Sequence, residues 1–535
     1  MKYSGKKLIE LGWDIPTTQY MKVHWQEMEK TTPFDGVMFE VMPANETVGG
    51  SQSLMTDKPW DKALFASCID DLKACKFTQF TDNFIRVNFS PGTVAWQDDA
   101  GWKNVCDKVA ICSWISKEGG CKGLAPDFES YGKHMFKYDA DSGLTYEQTR
   151  DLAFKRGAQF VEAVAKYQPN AVLLCLWMNS INTPAGRCVN PETALRNNGY
   201  GLLPAFINGM LSAVPKEMIL VDGCEFGYYY DGDEQYQRAS LDMLLWSGPC
   251  MRLVLPELRK TYRTQVQAGF GFYLDMYSNE KGNKYYRAAH EGETRVDRLA
   301  ANLTSAMKAA DEYVWVYGEK HRWWNLAEAK PRGKNPKPAQ FWNDALENLT
   351  QRIWEIKDPV KAARIVFEKY VKDGKLNNVL NNADFAKKDS KTAMPDGWRA
   401  WQLENQPQGT LYWDGSIGGG VAAMKDVRNG CLMQSITVKP GEFYYFKTEA
   451  CTCGNSSVVV RLRWQNDKGW TKENLDPILS PVVVGKSGNT TNYAFEGTAR
   501  VPEDGTKMVV LLSVSDQTAP TDRAWFDNVV LCKIR

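Results

Sequence analysis

The sequence predicts a (β/α)₈ barrel followed by an antiparallel β-sandwich, and three observations support this fold class. Over about the first 320 residues, short apolar runs alternate with stretches of helical periodicity about eight times, which is typical of parallel strands joined by helices. No glycine-rich phosphate turn of the kind expected in a doubly wound sheet follows any of these runs. From Leu376 the runs become short, alternating and separated by turn residues, which indicates a sandwich.

Each predicted barrel strand is a short apolar run that stops at a polar residue or a turn. The eight strands are Leu8–Trp13, Phe34–Val41, Phe84–Phe89, Gly123–Glu129, Ala171–Met178, Met218–Phe226, Gly269–Asp275 and Tyr313–Glu319. Thr145 and Gln148 form a capping-box signature at the start of the clearest helix, which ends before Pro169. The other predicted helices are 18–29, Trp60–Lys76, Trp102–Ser116, Leu203–Val214, Glu234–Trp246 and Thr294–Ala310.

The change of pattern predicts two domains. Two helices, Phe341–Trp354 and Val360–Val371, follow the last barrel strand and end at Asp373-Gly374. We therefore place the boundary near 374–378, with a barrel domain at 1–375 and a sandwich domain at 376–535. The predicted sandwich strands are Leu432–Val438, Phe443–Ala450, Ser457–Trp464, Pro481–Val484, Lys507–Val514 and Ala524–Cys532.

Composition excludes several classes of partner. The net charge is +1 and the pI is near 7.4, so no global field attracts nucleic acid or an anionic membrane. No run of 18 apolar residues is present, and a membrane-spanning helix is not expected. The 13 cysteines are scattered and odd in number, which predicts buried thiols rather than a disulfide framework. A signal peptide removed from the chain would imply a secreted or periplasmic protein, and otherwise a cytoplasmic one. Oligomeric state is not indicated.

Polar side chains follow nearly every predicted barrel strand. The strand ends carry Asp14, Glu40, Asn88, Asp127 with Glu129, Asn179, Glu225, Asp275 and Glu319. The carboxyl ends of barrel strands meet at one face, where the active sites of such barrels lie. An unpaired carboxylate is costly to bury, so a role in stability alone would favour apolar residues at these places. We therefore expect a catalytic ring of acids and amides.

Such a ring suits the cleavage of glycosidic bonds. One carboxylic acid protonates the leaving oxygen, and a second carboxylate attacks carbon 1 or activates water. Neighbouring like charges raise the pKa of one acid and keep it protonated near neutral pH. The chain has 19 Trp, 23 Tyr and 22 Phe, and flat aromatic rings can pack on the apolar faces of sugars.

The segment Gly123-Leu-Ala-Pro-Asp-Phe-Glu129 ends in Asp-x-Glu, which resembles the motif of chitinase-like family 18 glycoside hydrolases. The resemblance implies that Glu129 is the general acid and that Asp127 orients an N-acetyl group or a second charge. Tyr273-Leu-Asp-Met-Tyr277 resembles a later strand of that family. The chain departs from the pattern at Lys122 and Ala125, where the family has Asp. A broader resemblance to glycosidase barrels implies Glu129 as acid/base and Glu319, Asp275 or Glu225 as nucleophile or base.

Aromatic and amide residues near the strand ends are candidates for substrate binding. Val314-Trp-Val-Tyr-Gly-Glu319 leads directly to His321-Arg-Trp-Trp324, which places two indoles beside a carboxylate. These two indoles form a wall of a sugar subsite or, alternatively, cover the barrel rim. The full set of candidates is Trp13, Asn88, Trp177, Asn179, Tyr228, Tyr273, Tyr277, Trp323 and Trp324. No catalytic metal is expected.

The C-terminal part resembles carbohydrate-binding jelly rolls of family 4/9 type. The residues that carry the resemblance, in order, are Leu380–Phe385, Gly397-Trp398 with Trp401, Met433-Gln434, Val438–Gly441, Tyr444–Phe446, Phe495, Val501-Pro502 and Trp525–Val529. The resemblance implies a jelly roll in which Trp398, Trp401 and Trp413 stack on glycan. In some members, the position of Asp527 belongs to a structural calcium site. Such domains also serve as inert spacers.

Two other functions fit the same residues. A carbohydrate-binding protein with a degenerate barrel would bind oligosaccharides without turnover. A polysaccharide lyase would use a Tyr or His base and release unsaturated uronates that absorb ultraviolet light. Hydrolysis of a poly- or oligosaccharide by carboxylate acid/base catalysis remains the preferred interpretation.

Overall fold

The computed structural model describes residues 5–43, 50–131, 134–325, 340–471, 483–484 and 490–535. Contacts within the chain divide it into two units, Met1–Lys357 and Asp358–Arg535. The first unit contains a parallel sheet with helices, and the second contains two antiparallel sheets.

The parallel sheet of the first unit forms a nearly closed barrel, as the sequence predicts. Its strands are β1 (Lys7–Gly12), β2 (Gly36–Phe39), β3 (Phe84–Asn88), β4 (Gly123–Asp127), β5 (Val172–Cys175), β6 (Ile219–Asp222), β7 (Val266–Ala268), β8 (Phe270–Tyr273) and β9 (Tyr313–Gly318). Their order across the sheet is β7-β6-β5-β4-β3-β2-β1-β9-β8. The two ends, β7 and β8, are consecutive in the chain and separated only by Gly269. The predicted seventh strand, Gly269–Asp275, contains β8, whereas β7, which forms the other edge of the sheet, lies before it and was not predicted.

Helices alternate with these strands. They are α1 (Thr18–Thr31), α2 (Ala66–Ala74), α3 (Asp99–Glu118), α4 (Tyr146–Ala165), α5 (Thr183–Arg187), α6 (Pro191–Arg196), α7 (Leu203–Ala213), α8 (Asp233–Leu244), α9 (Arg259–Gln265), α10 (Asp275–Ser278), α11 (Arg295–Ala309), α12 (Trp342–Ala345) and α13 (Leu349–Lys357). The capping box at Thr145 is confirmed: its side chain accepts from the Gln148 backbone N–H, and the Gln148 side chain accepts from the Thr145 N–H. The two hydrogen bonds satisfy two backbone N–H donors that have no partner within helix α4.

Helices α4 and α7 approach closely because each has a glycine at the contact. A Cβ on Gly157 would lie 1.8 Å from the carbonyl oxygen of Phe206, and one on Gly209 would lie 1.9 Å from that of Phe154. No side chain fits in either place, so these two glycines permit backbone-to-backbone packing.

The second unit is a two-sheet sandwich preceded by helix α14 (Pro359–Lys372). Its strands are β10 (Arg399–Gln402), β11 (Thr410–Asp414), β12 (Val421–Lys425), β13 (Asn429–Thr437), β14 (Phe443–Cys453), β15 (Ser457–Asn466), β16 (Gly469–Trp470), β17 (Val483–Val484), β18 (Thr490–Arg500), β19 (Lys507–Ser515) and β20 (Arg523–Lys533). One sheet has the order β10-β13-β19-β15-β16 with β17 paired to β15, and the other has the order β11-β12-β20-β14-β18. All of these pairs are antiparallel.

Helix α14 is grouped with the sandwich rather than with the barrel. Phe367 on α14 packs against Tyr445 on β14 with ring centroids 5.1 Å apart, and Ala363 and Phe443 belong to the same small apolar cluster. The division between the units falls after Lys357, while the change in sequence pattern falls near 374–378. Helical periodicity shows that α14 has an apolar face but does not show which sheet that face meets.

Candidate active site

Four acidic side chains meet at the carboxyl ends of the barrel strands. Asp127 ends β4, Glu129 follows it, Glu225 follows β6, and Glu319 follows β9. Burial raises the pKa of Glu225 and of Glu129, and negative charge adds to both shifts, from Glu129, Asp127 and Glu319 at Glu225 and from Asp127 and Glu319 at Glu129. We refer to these four residues as the carboxylate cluster. The sequence had predicted all four as site residues.

Asp127 is held by a cation from the neighbouring strand. Its carboxylate lies 2.6 Å from a guanidinium nitrogen of Arg86 on β3 and accepts a hydrogen bond from the Glu129 backbone N–H at 3.0 Å. Asp127 is fully buried, and the paired charge and hydrogen bonds offset the cost of burying it. Since both oxygens are engaged, Asp127 positions the backbone that carries Glu129.

Glu129 is half-buried, and the hydroxyl of Tyr131 donates a hydrogen bond to its carboxylate. Burial raises the pKa of Glu129, and the hydrogen bond from Tyr131 acts in the opposite direction. Burial and the nearby acids also raise the pKa of the Tyr131 hydroxyl. Tyr131 therefore keeps its proton near neutral pH and stabilises the ionised form of Glu129.

Glu225 has a different environment from the other acids. Burial raises its pKa to about 9, and the neighbouring acids add to the shift. Among the residues that the structure describes, no protein group donates a hydrogen bond to its carboxyl. The preceding residue, Cys224, has a φ of 30°, an uncommon conformation for a residue with a side chain. Of the cluster, Glu225 is the side chain best suited to hold a proton at neutral pH.

Glu319 is oriented by phenol groups and by an adjacent acid. The Tyr317 hydroxyl donates to the Glu319 carboxylate at 3.0 Å, and the Trp13 indole N–H donates to the Tyr317 hydroxyl at 3.1 Å. Asp275 accepts from the backbone N–H of Glu319 at 2.8 Å and of Lys320 at 3.0 Å. Asp275, predicted as a catalytic candidate, therefore holds the end of β9 in place, although burial raises its pKa to about 6.

Several predicted substrate-binding residues surround the cluster. Trp13 is 43% exposed beside Tyr317, and Asn88 is the register partner of Asp127. The ring of Tyr228 lies 5.0 Å from that of Tyr273 and 5.9 Å from that of Tyr317.

Trp177 also lies near the cluster. Its ring lies 5.6 Å from that of Tyr200. Burial raises the pKa of Tyr200 to about 12, with a contribution from Glu129 and Glu225, which places Tyr200 close to these acids.

Other predicted residues are held inside the protein. Trp323 and Trp324 are buried; the Trp323 backbone N–H donates to the Asp14 carboxylate at 2.7 Å, and the Trp324 indole N–H donates to the Asp14 carbonyl at 2.7 Å. Tyr277 is buried and its hydroxyl accepts from Asn302, and the Asn179 amide donates to the Cys250 carbonyl. These residues connect strand ends to neighbouring loops.

Asp14 forms a buried pair with Glu10 of β1. Both are fully buried, and burial raises the pKa of Asp14 to about 6 and that of Glu10 well above its ordinary value. Ile9 is the register partner of Trp315, so Glu10 points to the opposite face of the sheet from that ring. The negative charge of Asp14 adds to the shift at Glu10, and the pair is separate from the carboxylate cluster.

Replacing Glu10 with glutamine should make stability less dependent on pH. In wild type, the folded state keeps a proton that the unfolded chain releases above its ordinary pKa of 4.5. Stability must therefore fall as pH rises from that value towards the folded pKa, by up to about 1.4 kcal/mol per pH unit for one proton. Urea unfolding of both proteins between about pH 5 and 8 measures this slope. An unchanged slope in Glu10→Gln would contradict the assignment.

Sequence reasoning missed four residues of the site. Arg86 is the one basic residue in the apolar strand Phe84–Asn88, and that isolation was an available signal. Tyr131 and Tyr317 lie two residues from a predicted acid, a spacing that was not used. Tyr200 lies in a connecting segment between α6 and α7, and no local pattern in the sequence identifies it.

A row of side chains lies on the outer face of the five-stranded sheet; Asn492 is exposed, Tyr412, Cys451 and Trp525 are half-buried, and Ala423 is buried. Tyr412, Ala423, Trp525, Cys451 and Asn492 are register partners across β11, β12, β20, β14 and β18. Their neighbours along the strands, such as Phe526 and Ala524, lie in the core, so this row faces outwards. Trp398, a predicted stacking residue, is buried against Phe385, whereas Trp401 is 45% exposed.

All thirteen cysteines are free thiols. Within the described residues, no group of three or more His, Cys, Asp or Glu side chains could hold a metal ion. Asp527 accepts from the Asn528 backbone N–H, and Glu449 accepts from the Asn528 amide; this donor set does not define a calcium site, and calcium stays a prediction. No helix in the described parts of the chain is long and apolar enough to span a bilayer.

No protein-family model matches the chain, and no curated protein does either. Among solved structures, a tailspike protein 4 enzymatically active domain from bacteriophage CBA120 is 14% identical over 29% of this chain and 21% of its own, with a TM-score of 0.21. A CBM4 structure is 17% identical over 29% of this chain and 99% of its own, with a TM-score of 0.22. The CBM22-1 xylan-binding domain from Paenibacillus barcinonensis is 8% identical over 29% of this chain and 92% of its own, with a TM-score of 0.21. The chain spans about a fifth of the tailspike domain. The resemblance to family 18 stays a prediction.

Proposed function

We propose that the barrel hydrolyses O-glycosidic bonds in an oligo- or polysaccharide. The observation that carries the proposal is the convergence of Glu129, Glu225 and Glu319 at one end of the barrel, beside the exposed rings of Trp13 and Tyr131. This reaction requires one protonated and one ionised carboxyl group. The acids of the cluster lie in different environments, so one can stay protonated while another is ionised.

In this proposal Glu225 donates the proton to the leaving oxygen. It is the cluster acid whose proton burial retains most strongly, with a pKa of about 9. Glu129, ionised and hydrogen-bonded by Tyr131, is the second carboxylate and acts as nucleophile or base. The sequence resemblance implied that Glu129 is the general acid. The environment of Glu225 favours Glu225 as the acid and Glu129 as the nucleophile or base.

The remaining groups position and bind. Arg86 and Asp127 hold the backbone of Glu129. Glu319, Tyr317 and Trp13 offer hydrogen-bonding groups at the carboxyl ends of β9 and β1. Asn88 Oδ1 and Trp177 Nε1 are buried and have no hydrogen-bond partner among the described residues. Unsatisfied polar atoms beside the carboxylate cluster suit a ligand rich in hydroxyl groups.

The two alternatives make different chemical demands. A lyase needs a base that ionises near neutral pH, and burial beside the acids raises the pKa of Tyr131, which opposes that role. A binding protein needs only a surface that contacts glycan, such as the row with the half-buried rings of Tyr412 and Trp525 on the outer face of the sheet. We propose that this row binds glycan in addition to the barrel site.

A panel of neutral, uronic and N-acetylated glycans tests the proposal. The expected result is release of reducing ends from at least one glycan, without products that absorb ultraviolet light. Ultraviolet-absorbing products would establish a lyase instead. Retardation of the protein in a glycan-containing gel without any cleavage would establish a binding protein.

A further inference from the structure

The 3₁₀ turn Glu225–Tyr229 has two functional sides. A 3₁₀ helix has three residues per turn, so positions three apart share a side. Glu225 and Tyr228 share the first side: Glu225 joins the carboxylate cluster, and Tyr228 stacks on Tyr273. Phe226 and Tyr229 share the second side and line a separate groove. Gly227 closes the third side, where a Cβ would lie 2.5 Å from the Gly271 carbonyl oxygen.

The groove has a volume of about 390 Å³, within the range of small-ligand sites. The turn forms one wall, and the segment around α5 and the helix α8 form the others. Phe226 is 38% exposed and Tyr229 is 50% exposed, so both rings are accessible from solvent. The Gln235 amide lies in the lining, whereas the hydroxyls of Ser180 and Thr183 donate to the Asp222 carboxylate and the Ser180 carbonyl. Flat rings with hydrogen-bonding groups are the chemistry that a pyranose needs.

The charges of the groove balance. Asp242 forms ion pairs with Arg187 and Arg238, and Glu234 adds a second negative charge to the lining. Two basic and two acidic side chains leave no net charge to attract a polyuronate or another polyanion. The groove therefore favours a neutral ligand.

We infer that this groove is a distal subsite for neutral sugar units of the same glycan chain that is cleaved at the carboxylate cluster. The inference rests on the proposed function. The groove is next to the carboxylate cluster in the chain, because one short turn carries the cluster acid Glu225 on one side and the groove rings of Phe226 and Tyr229 on another. A chain long enough to reach the groove gains contacts with Phe226 and Tyr229 that a disaccharide cannot make. Cleavage is therefore faster on long chains.

Alanine variants at Phe226 and Tyr229 test this subsite. For the neutral glycan that wild type cleaves, kcat/KM is measured from disaccharide to hexasaccharide. Each variant should lose about tenfold on the hexasaccharide, the loss expected for one ring contact, and less than about twofold on the disaccharide. Trp246→Ala is the matched control, because Trp246 is 60% exposed and is not among the residues that line the groove.

Two results overturn the inference while the proposed function stands. An equal loss on every chain length would mean that the variants distort the turn and Glu225, and an unchanged profile would mean that no sugar binds in the groove. If wild type cleaves no glycan, the proposed function fails, and calorimetry with cello-, xylo- and mannohexaose tests the groove alone. Binding of one hexaose that Phe226→Ala and Tyr229→Ala both weaken would then support it; no binding, or equal binding by all variants, would overturn it.

Discussion

Replacing Glu225 with glutamine is expected to lower kcat about 10²–10⁴-fold on a natural glycan, the usual contribution of a general acid. Glutamine keeps the size of the side chain and removes only the proton that the acid transfers. The fold should be unaffected, because among the described residues no protein group hydrogen-bonds the Glu225 carboxyl. Thermal unfolding of the variant measured beside its kcat separates loss of chemistry from loss of structure.

A substrate with a good leaving group identifies the role of Glu225. In a dinitrophenyl glycoside, the dinitrophenolate leaving group departs without being protonated. Glu225→Gln should therefore lose much less activity on this substrate, whereas Glu129→Gln should lose activity on both substrates. Glu217→Gln is the control: Glu217 is exposed and precedes β6, at the opposite end of the strand from Glu225. Equal losses on both substrates in Glu225→Gln would exclude the acid role.

The pH profile gives a second check on the same residue. A general acid works in its protonated form, so activity must fall as pH rises through its pKa. With a pKa of about 9 for Glu225, the alkaline limb of kcat/KM should lie near that value in wild type and disappear in Glu225→Gln. An alkaline limb that persists in the variant would assign it to another group.

The carboxyl ends of the strands were predictable from sequence because the barrel rule converts chain position into spatial position. Asp127, Glu129, Glu225 and Glu319 follow apolar runs, and parallel strands bring such ends to one face. The rule does not predict where side chains point once the strand has ended. Trp323 and Trp324 turn inwards and donate hydrogen bonds to Asp14. Both carboxylate oxygens of Asp275 accept hydrogen bonds from backbone N–H groups.

The proton assignment could not be predicted, because it depends on burial and partners that are distant in sequence. Glu129 has Tyr131 two residues away, yet Glu225 has no comparable donor among the described residues and is surrounded by acids from two other strands. A motif such as Asp-x-Glu specifies residue types only. The pKa of each acid is a property of the assembled barrel end.

The sandwich shows the limit of alternation as a signal. Strand β18 (Thr490–Arg500) has an inward series of Phe495, Gly497 and Ala499, of which only one is a large apolar residue, and it was not predicted. It pairs with all eleven residues of β14. Neighbouring strands supply the hydrogen bonds and the cover, so a weakly apolar segment becomes a strand through tertiary context.

Replacing Arg86 with leucine is expected to destabilise the barrel by about 3–5 kcal/mol, the cost of leaving one partner of a buried ion pair alone. Asp127 is 1% exposed and its carboxylate lies 2.6 Å from the Arg86 guanidinium. Without that cation, the hydrogen bond from the Glu129 N–H is the one remaining contact among the described residues that stabilises the buried charge. Urea unfolding followed by hydrogen exchange of peptides from β3 and β4 measures the loss in the barrel itself.

A double variant separates charge from packing. Removing both charges, in Arg86→Leu with Asp127→Asn, should recover part of the stability, because no unpaired ion then remains buried. Lys103→Met is the control: it breaks an exposed pair with Asp107 and should leave unfolding unchanged. If the double variant is as unstable as the sum of the two single variants, the pair is not coupled. Arg86 would then stabilise the barrel by filling space, and its charge would not be needed to hold Asp127 beneath Glu129.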